Sequence, residues 1–548
     1  MPNANPILGH VQRAPTKEAV IHILDIIVFV TATLGVLVIG IIASRRRKTA
    51  RDFFLAGGSL RWYQIGGSII AANISSHHFI GFAGIGFGIG LAQASYEWGA
   101  ILAIIMLAVL FLPMYLQTKI TTISEFLEKR FDYRSRIFYS GVTMLGYIVI
   151  ELTGAIYLGS LAAEAAFGIS YKWGILFIAM FAGFYATVGG LRAIVWTNMV
   201  QILILIVAGL ILTFITVSKA GGLFALMEAD PGKWDLLLPA NHPDLPWTGI
   251  FTGLVVLNIG YWSINQFIVQ SALGAKTDLE GRNGVIFGGF LKLLVPVISI
   301  IPGIAAGRLL TLERADMVMP TLIQEFLPIG LKGLVLAGLL GAIVSTVDML
   351  LNASSTMFTY DFYKRFFRKA ADDRELKWVG RLVMFIILMI AILAAPTLRN
   401  AEYVFLWMTS TWAYIKPGIV AAFVIGVFWK GANRMGGFAA LLASIPVSIA
   451  LELWVFPGIN FLNRCGIAFV ICCAFIWGVS MLTKKYSWKE GEKYVWNRSY
   501  LAVSMTGTLA GDEGERGEIA TKIPLHMDYR MWSGLLLLIV IMLYIWLG

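Results

Sequence analysis

The residues of this chain best suited to chemistry are polar groups embedded in apolar stretches. Ser345 and Thr346 supply adjacent hydroxyls, and Asp348 adds a carboxylate three positions past the first of them, all inside the apolar run 331–358. Sodium is a hard cation that prefers oxygen, and neutral hydroxyls with backbone carbonyls bind such an ion weakly enough to release it. The plainer reading of the two hydroxyls is that they close interhelical contacts. An ionised acid at membrane depth is expensive and marks a functional site by default. Asp348 therefore attracts sodium electrostatically, defines a second cation site with Ser345, or forms a structural pair with a lysine. Glu151 and Lys416 are two further charges inside apolar segments, and each demands a partner.

Two apolar stretches do not read as straight helices. The first runs Gly66-Gly67-Ser68-Ile69-Ile70-Ala71-Ala72-Asn73-Ile74-Ser75-Ser76-His77-His78 and continues through Gly81, Gly84, Gly86, Gly88 and Gly90. Polar groups and helix breakers at mid-membrane free backbone groups that must find other partners, so an unwound, cavity-lining segment is expected there. The second is Asn258-Ile259-Gly260-Tyr261-Trp262-Ser263-Ile264-Asn265-Gln266. These are the second and seventh apolar segments, five apart, the spacing of the first helices of two five-helix repeats. An odd number of helices per repeat makes the two copies enter the membrane from opposite sides, and paired broken helices in inverted repeats point to a binding site at the midplane.

What must hold these residues is a membrane-embedded helical protein. Of 548 residues, 58% are hydrophobic and 14% charged, against about a quarter charged in a soluble domain. Fourteen apolar segments are read at 22–44, 63–90, 97–117, 137–164, 173–189, 193–217, 247–270, 285–307, 331–358, 379–396, 402–428, 436–456, 461–482 and 531–547. Spans of about 20 residues cross a bilayer core, and the absence of polar and apolar alternation excludes a membrane barrel. The net charge of +11 does not indicate nucleic acid, because the basic residues cluster in alternate loops: Lys119 to Arg136, Lys364 to Lys377, and Lys484 to Arg498. The positive-inside rule makes those loops cytoplasmic. Arg45, Arg46, Arg47 and Lys48 follow the first segment, which reads as a retained anchor with the N-terminus outside. An even number of spans returns the C-terminus to the same side. Cys465, Cys472 and Cys473 all lie in apolar segments and read as packing residues rather than a disulfide or metal set. The Pro-rich outer loop 218–246 and the mixed-charge inner loop 483–530 carry no catalytic motif, and no nucleophile, phosphate loop or metal-ligand cluster is evident, so an enzyme is not expected.

Four runs carry a resemblance: FFLAGGSLRWYQIGGSIIAANISSHHFIGFAGIGFGIGLAQASYEW, YWSINQFIVQSALGAK, LKLLVPVISIIPGIAA and AIVSTVDMLLNASSTMFTYDFYKRF. Together, and in this order, they closely resemble the sodium/solute symporter family, and within it the sodium/glucose and sodium/galactose cotransporters. The likeness spans about residues 20 to 430 and weakens beyond. It implies an all-α membrane protein of about 14 transmembrane helices, with leucine-transporter-type inverted five-helix repeats forming a core over 63–428, and flanking helices. The corresponding parts are an anchor helix and basic inner loop (1–62), a first repeat (63–217), an extracellular loop (218–246), a second repeat (247–428), and peripheral C-terminal helices (429–548).

The resemblance also implies sites. Carbonyls of Ala71, Ile74 and Ala342 join Ser345 and Thr346 in its sodium site, with Asp348 alongside. Its solute site maps onto Asn73, His78, Glu97, Asn258, Tyr261, Trp262 and Lys292. Tyr261 matches the inner-gate tyrosine, and His78 the histidine of animal glucose cotransporters. Three departures stand out. Val195-Trp196-Thr197-Asn198 ends in an amide where many sugar-transporting relatives carry an acid, and Thr409 stands where they place a glutamine. Glu151 and Lys416 replace uncharged residues on helices that the family fold brings together beside the cavity. An intramembrane Glu151 to Lys416 ion pair is therefore expected, with Asp348 to Lys416 as the competitor.

The implied function is sodium-coupled import by alternating access through a cell inner membrane, with Na+ as the coupling ion. A hexose is the favoured solute, and a polyol, amino sugar or sugar acid the alternatives. A rival is a solute sensor or uncoupled member of the family without net uptake, which Asn198 and Thr409 keep open.

Overall fold

A computed structural model describes residues 22–44, 50–75, 77–400, 404–484, 490–507, 518–519 and 522–548. The basic run Arg45 to Lys48, Ser76 of the first broken stretch, and parts of the 483–530 loop lie outside the described residues. Among the described residues the chain is helical, with isolated bridges but no strand. Among the described residues eleven helices are long and apolar enough to cross a bilayer, or twelve if one bent pair is taken as a span.

The helices that matter below are α1 (Ile23–Ser44), the two halves α2 (Trp62–Asn73) and α3 (Phe82–Gly88), α4 (Leu91–Gln117) and α5 (Tyr133–Leu161). Then come α6 (Tyr171–Lys219), the two halves α7 (Val255–Trp262) and α8 (Gln266–Leu273), α9 (Asp278–Leu309) and α10 (Leu331–Phe367). The remainder are α11 (Asp373–Arg399), α12 (Val404–Phe428), α13 (Arg434–Val455), α14 (Phe461–Leu482) and α15 (Tyr529–Leu547). Burial ranks them: the most apolar window of α10 is 94% buried inside the protein, that of α1 only 11%. α1 therefore offers its apolar side chains, Ile27, Leu34 and Ile42 among them, to hydrocarbon, while α10 holds Ser345, Thr346 and Asp348 at the centre.

The expected parting of 173–189 from 193–217 is kept: Tyr171–Lys219 (α6) is two helical stretches divided at Gly190, whose φ of 62° and ψ of 170° are non-helical and whose positive φ glycine adopts without a Cβ clash. Other boundaries differ from the expected ones. α9 begins seven residues before its expected start at 285, because Thr277 caps its N-terminus by accepting the Glu280 N–H at 3.1 Å. α10 continues past 358 as an amphipathic turn carrying Lys364 and Arg365. Hydropathy detects the apolar length of such helices and misses their polar ends.

The two expected interruptions are present. α2 stops at Asn73, Ile74 is extended (φ −73°, ψ 104°), and the chain rewinds from His77. α7 and α8 meet at a 45° bend over Ser263 to Asn265. Carbonyls freed there would cost several kcal/mol each in hydrocarbon, and tyrosines satisfy them. Tyr115 donates to the Ser263 carbonyl at 3.1 Å and Tyr139 to the Ile264 carbonyl at 2.7 Å, while Tyr147 bonds the Asn265 side chain. α9 splints the first break along its whole length. Gly66 lies against the Gly284 backbone, where a Cβ would stand 2.6 Å from its oxygen, and Gly303 lies equally close against the Ala83 backbone. Lys292 falls between these two contacts, at the level of the break.

Candidate functional site

Both breaks open onto one narrow cavity of about 80 Å3. Its wall gathers the eight residues expected for the solute: Asn73 and His78 from the first break, Asn258, Tyr261 and Trp262 from α7, Glu97 from α4, Lys292 from α9 and Thr409 from α12. Glu151 and Lys416 line it too. No contiguous motif could bring these together; the breaks and the α9 splint do.

Most of the polar groups are tied into one network. Lys292 Nζ donates to Glu97 Oε2 at 2.6 Å and to Asn73 Oδ1 at 2.9 Å, and lies 4.4 Å over the Trp262 ring. Asn73 Nδ2 donates to the Tyr261 hydroxyl at 3.2 Å and stands 3.4 Å from His78 Nε2, which is itself 3.6 Å from Glu97 Oε1. Glu97 is therefore a fully compensated charge. Asn258 Nδ2, by contrast, is buried with no hydrogen-bond partner among the described residues, so one donor on this wall is uncommitted. Thr409 spends its hydroxyl on the Phe405 carbonyl of its own helix at 2.9 Å.

Glu151 and Lys416 do not form the direct ion pair expected of them; no N···O separation within 4.0 Å joins them. Trp412 intervenes: its indole N–H donates to Glu151 Oε1 at 2.8 Å, while its ring lies 4.4 Å beneath Lys416 Nζ. Lys416 donates to the Gly260 carbonyl at 3.1 Å. The competing Asp348 to Lys416 pair is absent as well, since neither Asp348 carboxylate oxygen has a hydrogen-bond partner among the described residues.

Around the first break the residues expected to bind the cation are adjacent but differently engaged. Thr346 Oγ1 donates to the Ala72 carbonyl at 3.0 Å, tying α10 to the last turn of α2. The carbonyls of Ala71 and Ile74 lie on either side of that bond in the chain, where helix termination removes their i+4 donors. Ser345 Oγ and both Asp348 oxygens are buried and unpartnered among the described residues, and Ala342 lies one turn before Thr346. This is an all-oxygen donor set, suited to a hard cation. Asn198, which replaces the acid of many relatives, donates to Ser68 Oγ at 3.3 Å and leaves its own oxygen unpartnered among the described residues.

Six wall residues were missed from the sequence: Tyr96, Leu254, Leu257, Phe405, Met408 and Trp412. The signal for two of them was available, since Phe405, Thr409, Trp412 and Lys416 follow helical spacing on one face of α12.

A solute cavity between two broken helices, with cation-type oxygens beside one of them, defines a membrane transporter. The profile of the sodium:solute symporter family matches residues 53–444, and the chain belongs to that family. It is 38% identical over 462 residues to the sodium/glucose cotransporter of Vibrio parahaemolyticus, covering 78% of this chain and 85% of that one. It is 30% identical to the sodium/glucose cotransporter 1 of Oryctolagus cuniculus, over 85% of this chain and 80% of that one. A sodium/myo-inositol cotransporter 2 of Sus scrofa is also 30% identical, over 77% and 68%. In fold, the chain matches a Na+-coupled sialic acid symporter solved in a substrate-bound outward-open state, with a TM-score of 0.75 at 24% identity over 84% of this chain and 98% of that one. The protein is thus a multi-pass membrane transporter rather than an enzyme, and sodium is its coupling ion.

Proposed function

We propose that the chain imports a sugar, a hexose first of all, by sodium-coupled alternating access. The observation that carries this reading is the convergence on one cavity of hydroxyl-binding groups from both helix breaks, with Thr346 joining the cation helix to the first of them. Relatives named for glucose and myo-inositol support the same solute class.

In this reading fourteen spans are arranged as inverted repeats over 63–217 and 247–428, with the anchor helix before them, the 218–246 loop outside, and peripheral helices after 429. The protein resides in the inner membrane with both termini outside, as the basic inner loops require. Sodium enters from outside and binds Ser345, Thr346 and the carbonyls of Ala71, Ile74 and Ala342, with Asp348 adding charge. This holds the first break in the shape that presents Asn73 and His78 to the solute. Glu97 and Lys292 then accept from and donate to solute hydroxyls, Asn258 supplies its uncommitted N–H, Thr409 lies alongside, and Trp262 and Tyr261 cover apolar ring faces. Coupling needs only that each ligand favours the conformation that binds the other, and the effect must be reciprocal.

The test is uptake into proteoliposomes. An inward sodium gradient should accumulate labelled D-glucose, D-galactose or myo-inositol, and a potassium gradient should not. Sodium-dependent binding without accumulation would favour the sensor reading, which the replacements at Asn198 and Thr409 motivate; neither binding nor uptake would overturn both.

A further inference from the structure

The cavity wall carries a second group of residues to which the import reading assigns no task. Glu151, Trp412 and Lys416 are each at most 5% exposed, and all three line the cavity. Their arrangement resembles that of Glu97, Trp262 and Lys292 in part: in both a lysine lies 4.4 Å over a tryptophan ring, but Glu97 is bonded to its lysine whereas Glu151 accepts from the Trp412 indole. The two lysines also meet α7 at positions that flank Tyr261, Lys416 at the Gly260 carbonyl and Lys292 at the Trp262 ring. Backbone has been cleared for the second group. A Cβ on Gly260 would stand 2.8 Å from Lys416 Cδ, and one on Gly146 would collide with the Trp412 ring.

Burying a carboxylate and an ammonium without a direct bond between them is a poor way to gain stability. It is a good way to hold both ends of a diol, because a hydroxyl donates to a carboxylate and accepts from an ammonium. The charge count then restricts the cargo. With Glu97 and Glu151 taken as carboxylates, Lys292 and Lys416 as ammonium groups and His78 as a neutral imidazole, the wall sums to zero, so a charged solute would bring an uncompensated charge into a water-poor site.

We propose that Glu151, Trp412 and Lys416 form a second solute-recognition group, which with Glu97, Trp262 and Lys292 restricts the cargo to neutral polyhydroxylated solutes, hexoses or cyclitols, and rejects sugar acids and amino sugars. The proposal rests on the import reading above and specifies its solute class.

The experiment is sodium-driven uptake of labelled D-glucose, D-galactose and myo-inositol into proteoliposomes, with D-glucuronate and D-glucosamine added as competitors and, separately, as labelled solutes. In the unmodified protein the neutral solutes accumulate and the charged ones neither accumulate nor compete. Lys416→Met leaves the wall negative: it raises KM for the neutral solute about ten- to a hundred-fold, with a smaller effect on kcat, and turns glucosamine into a competitor. Glu151→Gln keeps an acceptor for the Trp412 N–H and leaves the wall positive, so it admits glucuronate instead. A structural role would not produce these opposite shifts. The double variant Glu151→Gln/Lys416→Met has no unbalanced charge, folds where a single variant does not, and still shows the raised KM. The proposal is overturned if KM and competitor ranking are unchanged in the variants, or if the unmodified protein accumulates a charged solute as well as a neutral one. If no solute of either kind accumulates, the import reading itself falls, and this inference with it.

Discussion

Glu97 and Asp348 are two carboxylates buried to the same degree in the same helical core, 3% and 1% exposed, yet their surroundings are opposite. Glu97 is bonded to Lys292 and faces His78, whereas neither oxygen of Asp348 has a protein partner among the described residues. A buried charge is tolerated when it is compensated, and the compensation comes either from the protein or from something that binds. The charge of Glu97 is balanced by Lys292 before any solute arrives. In the proposed import reading Asp348, beside a Ser345 hydroxyl that is also unpartnered among the described residues, is where a mobile cation completes the set. A third buried carboxylate, Asp361, shows how thoroughly the fold can satisfy such a group: it accepts from Thr122, Ser124, Ser140 and Arg136.

The contrast breaks most directly at Glu97. Glu97→Gln strands the Lys292 ammonium, a loss of about 3–5 kcal/mol for a broken buried pair, so the detergent-solubilised protein should melt earlier and uptake should vanish. Adding Lys292→Met should restore the melting temperature but not uptake; an unaltered single variant would remove the distinction between the two carboxylates. Asp348→Asn should do the reverse, keeping thermal stability while raising the half-saturating sodium concentration about tenfold, equivalent to about 1.4 kcal/mol. Loss of stability with unchanged sodium dependence would instead make Asp348 a structural residue. A smaller effect is expected at Thr346→Ala, which deletes the bond to Ala72, worth about 1 kcal/mol; a sodium titration of uptake should shift about fivefold.

The smallest effect sharpens the comparison from outside the membrane spans. Glu128 is pushed up by burial, but its hydrogen bonds from Arg136 and Arg365 outweigh this and hold its carboxyl below the ordinary glutamate value. Its stabilisation is therefore present above the ordinary carboxylate range and is lost as pH falls through the depressed value. A thermal-melt series against pH should show a modest acid loss that Glu128→Gln abolishes. A larger loss in acid would show that a partly solvated pair matters as much as the buried one.

Much of the fold was legible because its signals are local. The break at Asn73 follows from glycines, serines and an asparagine placed where helix is otherwise favoured, and the bend before Gln266 from a similar polar run. The division of α6 was legible as well: the gap between the segments at 173–189 and 193–217 holds Gly190, whose positive φ ends one helical stretch and starts the next. The missed wall residues of α12 divide: Phe405 and Trp412 fall on the helical face that Thr409 and Lys416 mark, whereas Met408, an apolar residue on an apolar helix, carries no mark of which face meets the cavity.

By itself, the sequence determined that polar and charged groups would stand at membrane depth and that two helices would break there, because residue hydrophobicity and backbone preference act over a few neighbours. Only the tertiary structure decided who compensates whom. Glu151 and Lys416 are far apart in sequence and were expected to touch, yet the seat that Gly146 leaves for Trp412 puts an indole between them. Lys292 was free to pair with any acid until the close approach of α9 to the broken helix set it beside Glu97. Coulomb attraction is settled over a few ångströms, and those distances are made by helix packing.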